Sequence, residues 1–501
     1  MTANRVPLLS GSRISVLTAP DDAVVLRPPP PQEAIADVGA AVRDSLRFPL
    51  SGAPLEALST RGGTATLVVE PPDLPLPGAP ADPRQAALEA AIGELERIGV
   101  PSRRQTILVA GGLGRRAGTR ELESLLAPPA ARAFRGRVEV HDAESEELIL
   151  LGGASDRESR LHPLVVETDL VVTVTAAETV LHGGAAALTG AADARTLRAA
   201  EADSLLETAT SRGWQHSVAL ERALAAQVPL IGTSLVLNPP RLTGHLSGYP
   251  YEHEALRRLA SSPLRRLSLL PSSVRRRILQ GLHREVTAAA AFAGPPSVAH
   301  AEALVRATAR RSVRVEEPFD ALVIGMPWKH HHQPRERLNP ITVAAVALGL
   351  ALRLWRGAFP LREGGTAIVM HRLSRHFEHS TQDPYRALFH ELRDAGGRHE
   401  LEAQERTAAS DERALAAYRA GRSCHPLLPY VDWESCRPAL DSLGAVLIAG
   451  CRDHQAARTL GFVPTHGLAP ALEMAHGRAG GKARLGLLLA PPYFPLDVGR
   501  A

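Results

Sequence analysis

Ala65-Thr66-Leu67-Val68-Val69, Asp82-Pro83 and Thr106-Ile107-Leu108-Val109-Ala110 are the stretches that decide the fold. The first is an unbroken apolar and β-branched run, the pattern of a strand buried on both faces. Asp82 can accept hydrogen bonds from the free N–H groups at a helix start, and Pro83 suits the first turn. Leu88, Ile92, Leu95 and Ile98 then recur at helical spacing, and Gly99 stands where a helix is capped. Thr106 to Ala110 repeats the buried-strand pattern, so this region reads as one strand–helix–strand unit of a parallel sheet.

The same reading extends in both directions. Arg137 to Val140 is a strand ending at His141-Asp142, and Asp169-Leu170-Val171-Val172-Thr173-Val174 is another, leading into Glu178 to Gly184. A second series follows in Ala321 to Gly325, Thr366 to Met370, Ala445 to Ala449 and Leu487 to Leu489. Before both series stand two short β-like runs, Ile14 to Leu17 and Ala23 to Leu26, and the proline tract Pro28 to Pro31, read as a rigid connector. The expected fold is α/β, with two domains, mainly parallel doubly wound sheets and a ligand cleft between them. Residues 1–300 form the first α/β domain and 301–501 the second, with the boundary near 295–315.

Composition narrows the function classes. The 501 residues are 45% hydrophobic and 22% charged, which suits globular domains rather than a disordered chain. No apolar run is long enough to span a bilayer and Met1 to Leu9 lacks a signal-peptide core, so a cytoplasmic location is expected. Cys424, Cys436 and Cys451 form no CxxC pair and read as reduced thiols. A formal charge of +4 makes nucleic acid a poor partner, and a small carboxylate or phosphorylated ligand the expected one. Nearly all the cations are arginine: the only lysines are Lys329 and Lys482, so no mechanism can use lysine elsewhere.

Several segments could carry chemistry. Ala110-Gly111-Gly112-Leu113-Gly114-Arg115-Arg116 follows a strand and precedes a helix start near Thr119, so its N–H groups could cradle an anion with arginine charge beside them. Such glycine turns also arise for steric reasons alone. His141 and His182 each lie just past a strand end, where open α/β sheets place ligands, and either could act as acid or base. A structural His141–Asp142 pair is the plain alternative. His330 and His332 in Lys329-His330-His331-His332, with His371, His376 and His379, make a weak metal set, against the reading of a basic loop. The arginine-rich stretch 255–284, with Arg257, Arg258, Arg265, Arg266 and Arg275 to Arg277, reads as solvated helix faces, with a phosphate-binding surface as the alternative. HExxH, GxSxG, CxxC and EF-hand patterns are missing, which removes zincin, α/β-hydrolase and zinc-ribbon readings.

Three blocks in order resemble the amino-terminal domain of the nickel-dependent (nickel-pincer) lactate racemases: Val109 to Arg115, Val140-His141-Asp142 to Leu151-Gly152, and Thr168-Asp169-Leu170 to His182-Gly183-Gly184. The carboxyl-terminal half is similar more loosely, through the strand at 321, the helix after Asn339-Pro340, Gly364-Gly365 and the closing Leu487 to Pro492. The resemblance implies hydride transfer between a 2-hydroxy acid and a nickel-bearing pyridinium nucleotide, with two histidines as alternating acid and base and a lysine tethering the cofactor. His182 corresponds to one histidine; Gly114 stands where the other is expected. The tether, expected about ten residues after His182, falls in Gly190-Ala191-Ala192-Asp193, which contains no lysine. The family's anion-binding turn is matched only by Asp73 in Glu70-Pro71-Pro72-Asp73-Leu74-Pro75.

Two readings follow. The chain is a racemase or epimerase-like isomerase for a small 2-hydroxy acid or sugar acid, with His182 and His141 as acid/base groups and Gly112, Gly114, Arg115, Arg116 and Asp73 around an anion. Alternatively it is a non-catalytic ligand-binding or regulatory protein on the same fold, because a racemase needs a proton acceptor on either face of the carbon.

Overall fold

The computed structural model describes residues 5–71, 82–152, 158–177, 185–198, 204–206, 211–280, 282, 284–328, 337–377, 380–394 and 398–499. The chain opens with a hairpin of β1 (Arg5–Ser10) and β2 (Arg13–Thr18), turned by Gly11 at φ +59°, and continues through β3 (Val24–Leu26). Helix α1 (Val38–Arg47) then leads into the first lobe.

That lobe is built on β4 (Ala65–Val69), β5 (Gln105–Val109), β6 (Arg137–Val140), β7 (Val171–Ala177), β8 (Leu230–Leu237) and β9 (Ala288–Gly294). They form one six-stranded sheet in the order β9-β8-β7-β4-β5-β6, parallel except for the β8–β9 pair. Helix α2 (Pro83–Arg97) makes the first crossover, with Asp82 accepting from the Arg84 N–H as its N-cap. Alternate residues of each strand face opposite covers. Leu67, Val69, Ile107 and Val109 pack on Val42 and Leu46 of α1 and Leu88 and Leu95 of α2. Val68, Leu108 and Val171 pack on Leu188 and on Leu220 and Leu224 of α3 (Arg212–Ala225).

Before β9 come two arginine-bearing helices, α4 (His253–Ser261) and α5 (Ser272–Gln280). After it, α6 (Pro296–Arg311) lies over Val236 and Ala177 through Ala303 and Ala307. The second sheet contains β10 (Phe319–Gly325), β11 (Leu361–Met370), β12 (Leu443–Ala449), β13 (Val463–Thr465) and β14 (Leu485–Leu488). Its order is β13-β12-β11-β10-β14-β3, all parallel, so the early strand β3 forms one edge beside β14. One face, with Leu322, Ile324, Val369 and Ile448, covers a core with Tyr385 and Phe389. The other, with Val323, Ile368 and Leu487, packs on Val6 and Leu8 of β1, Leu256 and Leu259 of α4, and Ala471 and Ala475 of α8 (Leu468–Arg478), the helix that follows α7 (Glu412–Arg419).

The α/β class with two mainly parallel, doubly covered sheets is therefore as the sequence pattern predicts. All three cysteines are buried and free. Among the described residues no helix is long and apolar enough to cross a membrane.

Candidate functional site

In each sheet the strand order reverses at one place: between β4 and β7 in the first, and between β10 and β14 in the second. Helices cover opposite faces on the two sides of such a point, leaving a crevice at the carboxyl ends of the strands. In the first lobe that crevice lies at the carboxyl ends of β4, β5 and β7, each followed in sequence by a candidate segment. Asp73 and His182, which lie in two of them, fall outside the described residues, as do His330 and His332.

The third segment is the glycine turn after β5. Gly112 has φ +52°, and a Cβ there would lie 3.3 Å from Leu197 Cδ2, so both backbone and space call for glycine. Its N–H donates to the Gly190 carbonyl (3.0 Å), and the Gly114 N–H closes the turn on the Gly111 carbonyl (2.9 Å). Gly190 comes close because a Cβ there would be 2.7 Å from the Ala110 oxygen. The N–H groups of Gly112 and Gly114 are thus used within the lobe.

Arg115 and Arg116 reach the second lobe. Arg115 pairs with Glu121 and donates to the Gly421 carbonyl (3.4 Å). Arg116 donates to the carbonyls of Arg419 (2.6 Å) and Val140 (3.0 Å) and lies 3.6 Å from Asp142. Around them is an interlobe seam that no sequence pattern announced. The Tyr418 hydroxyl of α7 donates to the Gly112 carbonyl (3.0 Å) and accepts from the Ala143 N–H (3.2 Å). His425 Nδ1 accepts from the Leu427 N–H, so Nε2 carries the proton and donates to Glu144 (2.9 Å). Leu113, Ala143, Ala194, Tyr418 and Leu427 close over one another, and burial contributes roughly 1.5–3 kcal/mol for each leucine.

Beside the seam is a cavity of about 900 Å³ walled by both lobes. Arg198 spans it, pairing with Glu405 and Glu434; burial alone would favour its neutral form, but hydrogen bonds to the two carboxylates outweigh that and hold its guanidinium charged. Arg160 and Arg195 line the same cavity, and among the described residues neither side chain makes a hydrogen bond or ion pair.

His141 is 1% exposed. Its Nε2 donates to the Ala192 carbonyl (2.8 Å), its ring meets His162 edge-on (5.7 Å), and its Nδ1 is buried without a partner. Burial pushes its pKa down to about 3, so the ring is neutral at pH 7. Asp142 instead caps the Glu144 N–H (3.0 Å). His371, past the end of β11, accepts the Leu373 N–H on Nδ1 (3.2 Å), and burial pushes it down to about 4. Among the described residues no three His, Cys, Asp or Glu side chains are grouped to hold a metal ion.

With this geometry in hand, the comparisons bear directly on the first lobe: residues 11–207 match the lactate racemase N-terminal domain. Through those residues the first lobe is similar to that domain. The whole of this lactate-racemase-like chain also resembles the lactate racemase apoprotein from Thermoanaerobacterium thermosaccharolyticum. There the TM-score is 0.61 at 14% identity over 98% of this chain and 99% of the other, which shows a common fold. A protein from Thermotoga maritima aligns with TM-score 0.48 at 13% identity, covering 93% and 99% of the two chains. No curated protein matches by sequence.

A nickel nucleotide tethered at the expected position does not fit this lactate-racemase-like chain; Lys329 lies outside the described residues. Ala192, at the position of the expected tether, is 0% exposed, bridges Leu161 and has its carbonyl held by His141. Lys482 is exposed on the second lobe and paired with Asp22 (2.9 Å).

Proposed function

We propose that this lactate-racemase-like chain binds a small 2-hydroxy acid or sugar acid between its lobes and does not racemise it in both directions. The observation that carries the reading is the interlobe cavity with Arg160 and Arg195 on its wall. Arg160 and Arg195, which have no side-chain partner among the described residues, offer the paired N–H groups that a carboxylate accepts, beside acidic Glu144, Glu146, Glu158, Asp193, Glu402 and Glu405. His141 is poorly suited to proton transfer there. Its ring is 1% exposed with Nε2 held by the Ala192 carbonyl, and a ring with pKa near 3 is a weak base.

Calorimetric titration with lactate and with gluconate tests the binding. At least one should bind, and Arg160→Gln with Arg195→Gln should weaken it by about tenfold. Each lactate enantiomer should stay unconverted by chiral chromatography after prolonged incubation. Absence of binding by either acid, or conversion of one enantiomer into the other, would defeat the proposal.

A second reading, one-base isomerase chemistry at His182, is favoured by the position of β7, which flanks the strand-order reversal and ends at Ala177 shortly before that histidine. Under it, incubation in D₂O would place deuterium at C2 of the acid, and His182→Gln would abolish the exchange.

A further inference from the structure

Four arginines from four separate segments meet over the carboxyl edge of the second sheet. The tip of the β1–β2 hairpin is laid on the strand ends: the Gly11 N–H donates to the Met326 carbonyl (3.0 Å), Ser10 bridges Met326, and a Cβ at Gly11 would lie 3.6 Å from the His371 ring. Arg13 leaves that tip. Arg275 enters from α5, 7% exposed, with Nε on the Ser12 hydroxyl (3.1 Å) and a second nitrogen on the Leu270 carbonyl. Arg372 follows β11 and Arg452 follows β12, joined by the Arg452 N–H on the Arg372 carbonyl (2.9 Å). The arginine-rich stretch before β9 therefore sends one side chain inward, where a purely solvated helix face would not.

These charges have no counter-ion among the described residues. Among the described residues the side chains of Arg13, Arg372 and Arg452 make no hydrogen bond or ion pair, and Arg13 Nε is buried with no partner. The adjacent acid, Asp453, is used elsewhere: it accepts from Arg375 Nε (2.7 Å) and caps the Ala456 N–H (3.0 Å). Burial, together with repulsion from Arg13, Arg452 and Arg275, lowers the Arg372 guanidinium to about 10. Holding like charges together at a partly buried edge costs stability unless an anion occupies the space between them.

We propose that Arg13, Arg275, Arg372 and Arg452 form a binding site for the phosphate group of a small ligand at the carboxyl edge of the second sheet. A phosphate offers two negative charges and three oxygens to planar N–H forks, whereas one carboxylate would leave most of this charge unanswered. The place suits a ligand too, because it adjoins β10, one of the two strands at which the order of this sheet reverses. The site stands independently of the interlobe cavity, since it shares no residue with that wall.

The test uses the full chain and inorganic pyrophosphate as probe, titrated calorimetrically against chloride at matched ionic strength. Pyrophosphate should bind, and the double variant Arg372→Gln, Arg452→Gln should bind about tenfold more weakly or worse. Arg266→Gln, an exposed arginine outside the cluster, should leave the affinity unchanged. Without ligand the double variant should melt at a higher temperature than the parent, because repulsion is relieved; this also shows that it folds. No binding by the parent at about 10 mM pyrophosphate, or equal affinity in the double variant, would overturn the proposal. Neither result depends on whether a 2-hydroxy acid binds or reacts.

Discussion

His141 turns burial into a pH dependence. Its folded pKa, near 3, lies far below the value near 6.5 of an exposed imidazole. The unfolded chain therefore takes up a proton that the folded chain refuses, and this contribution to stability, complete above pH 6.5, is lost as pH falls towards 3. Its full size is about 5 kcal/mol. Asp432 acts with opposite sign: buried and accepting from the Tyr385 hydroxyl (2.6 Å), it has its pKa raised to about 6. Its contribution is complete below the ordinary aspartate value and is lost as pH rises through 6, for about 3 kcal/mol. The histidine outweighs it, and His371 adds in the histidine's direction. Urea unfolding at pH 4, 5, 6 and 7 should show that His141→Gln, which can still donate to the Ala192 carbonyl, flattens the acid limb, whereas Asp432→Asn steepens it. An unchanged slope in His141→Gln would refute the assignment. The histidine is visible in the sequence at a strand end, but its isolation is not, because it arises from Ala192 and His162, which are remote along the chain.

The elements legible in the sequence are those whose own residues dictate them. Strands β4, β5, β10, β11 and β12 each contain an apolar run, such as Ala321 to Gly325 and Thr366 to Met370, where both faces are covered, and α2 carries its cap, its period and its terminating glycine. Strands β8 and β9 escaped notice for equally local reasons. Gly232, Thr233 and Ser234 interrupt the first, and the second is mostly alanine, so neither has a β signature apart from its neighbours. The glycine turn after β5 was readable as a turn but not as a packing surface. Gly112→Ala should destabilise the first lobe by about 1–2 kcal/mol, from the left-handed backbone and the contact with Leu197. Gly152→Ala, where a Cβ meets nothing within 4 Å, is the control. Equal midpoints for the two variants in chemical denaturation would count against the role given to Gly112.

At the scale of the whole molecule, the two lobes are joined by groups that no local pattern relates. Tyr418→Phe keeps the ring in the interlobe core and leaves the Gly112 carbonyl and the Ala143 N–H unsatisfied, so it should cost about 1–3 kcal/mol. Faster amide exchange at residues 111–118 and 143–145, with unchanged exchange in β10 and β11, would distinguish a loosened seam from general destabilisation. The pairing of β3 with β14 has a consequence of another kind, in the order of events during synthesis. Val24 to Leu26 leave the ribosome long before Gly486 to Leu488, whose backbone groups they will bond. This edge of the second sheet therefore closes only after Gly486 to Leu488 emerge, and the first lobe can fold while the strand that preceded it still waits for its partner. The pairing is a clasp whose two halves are made far apart in time.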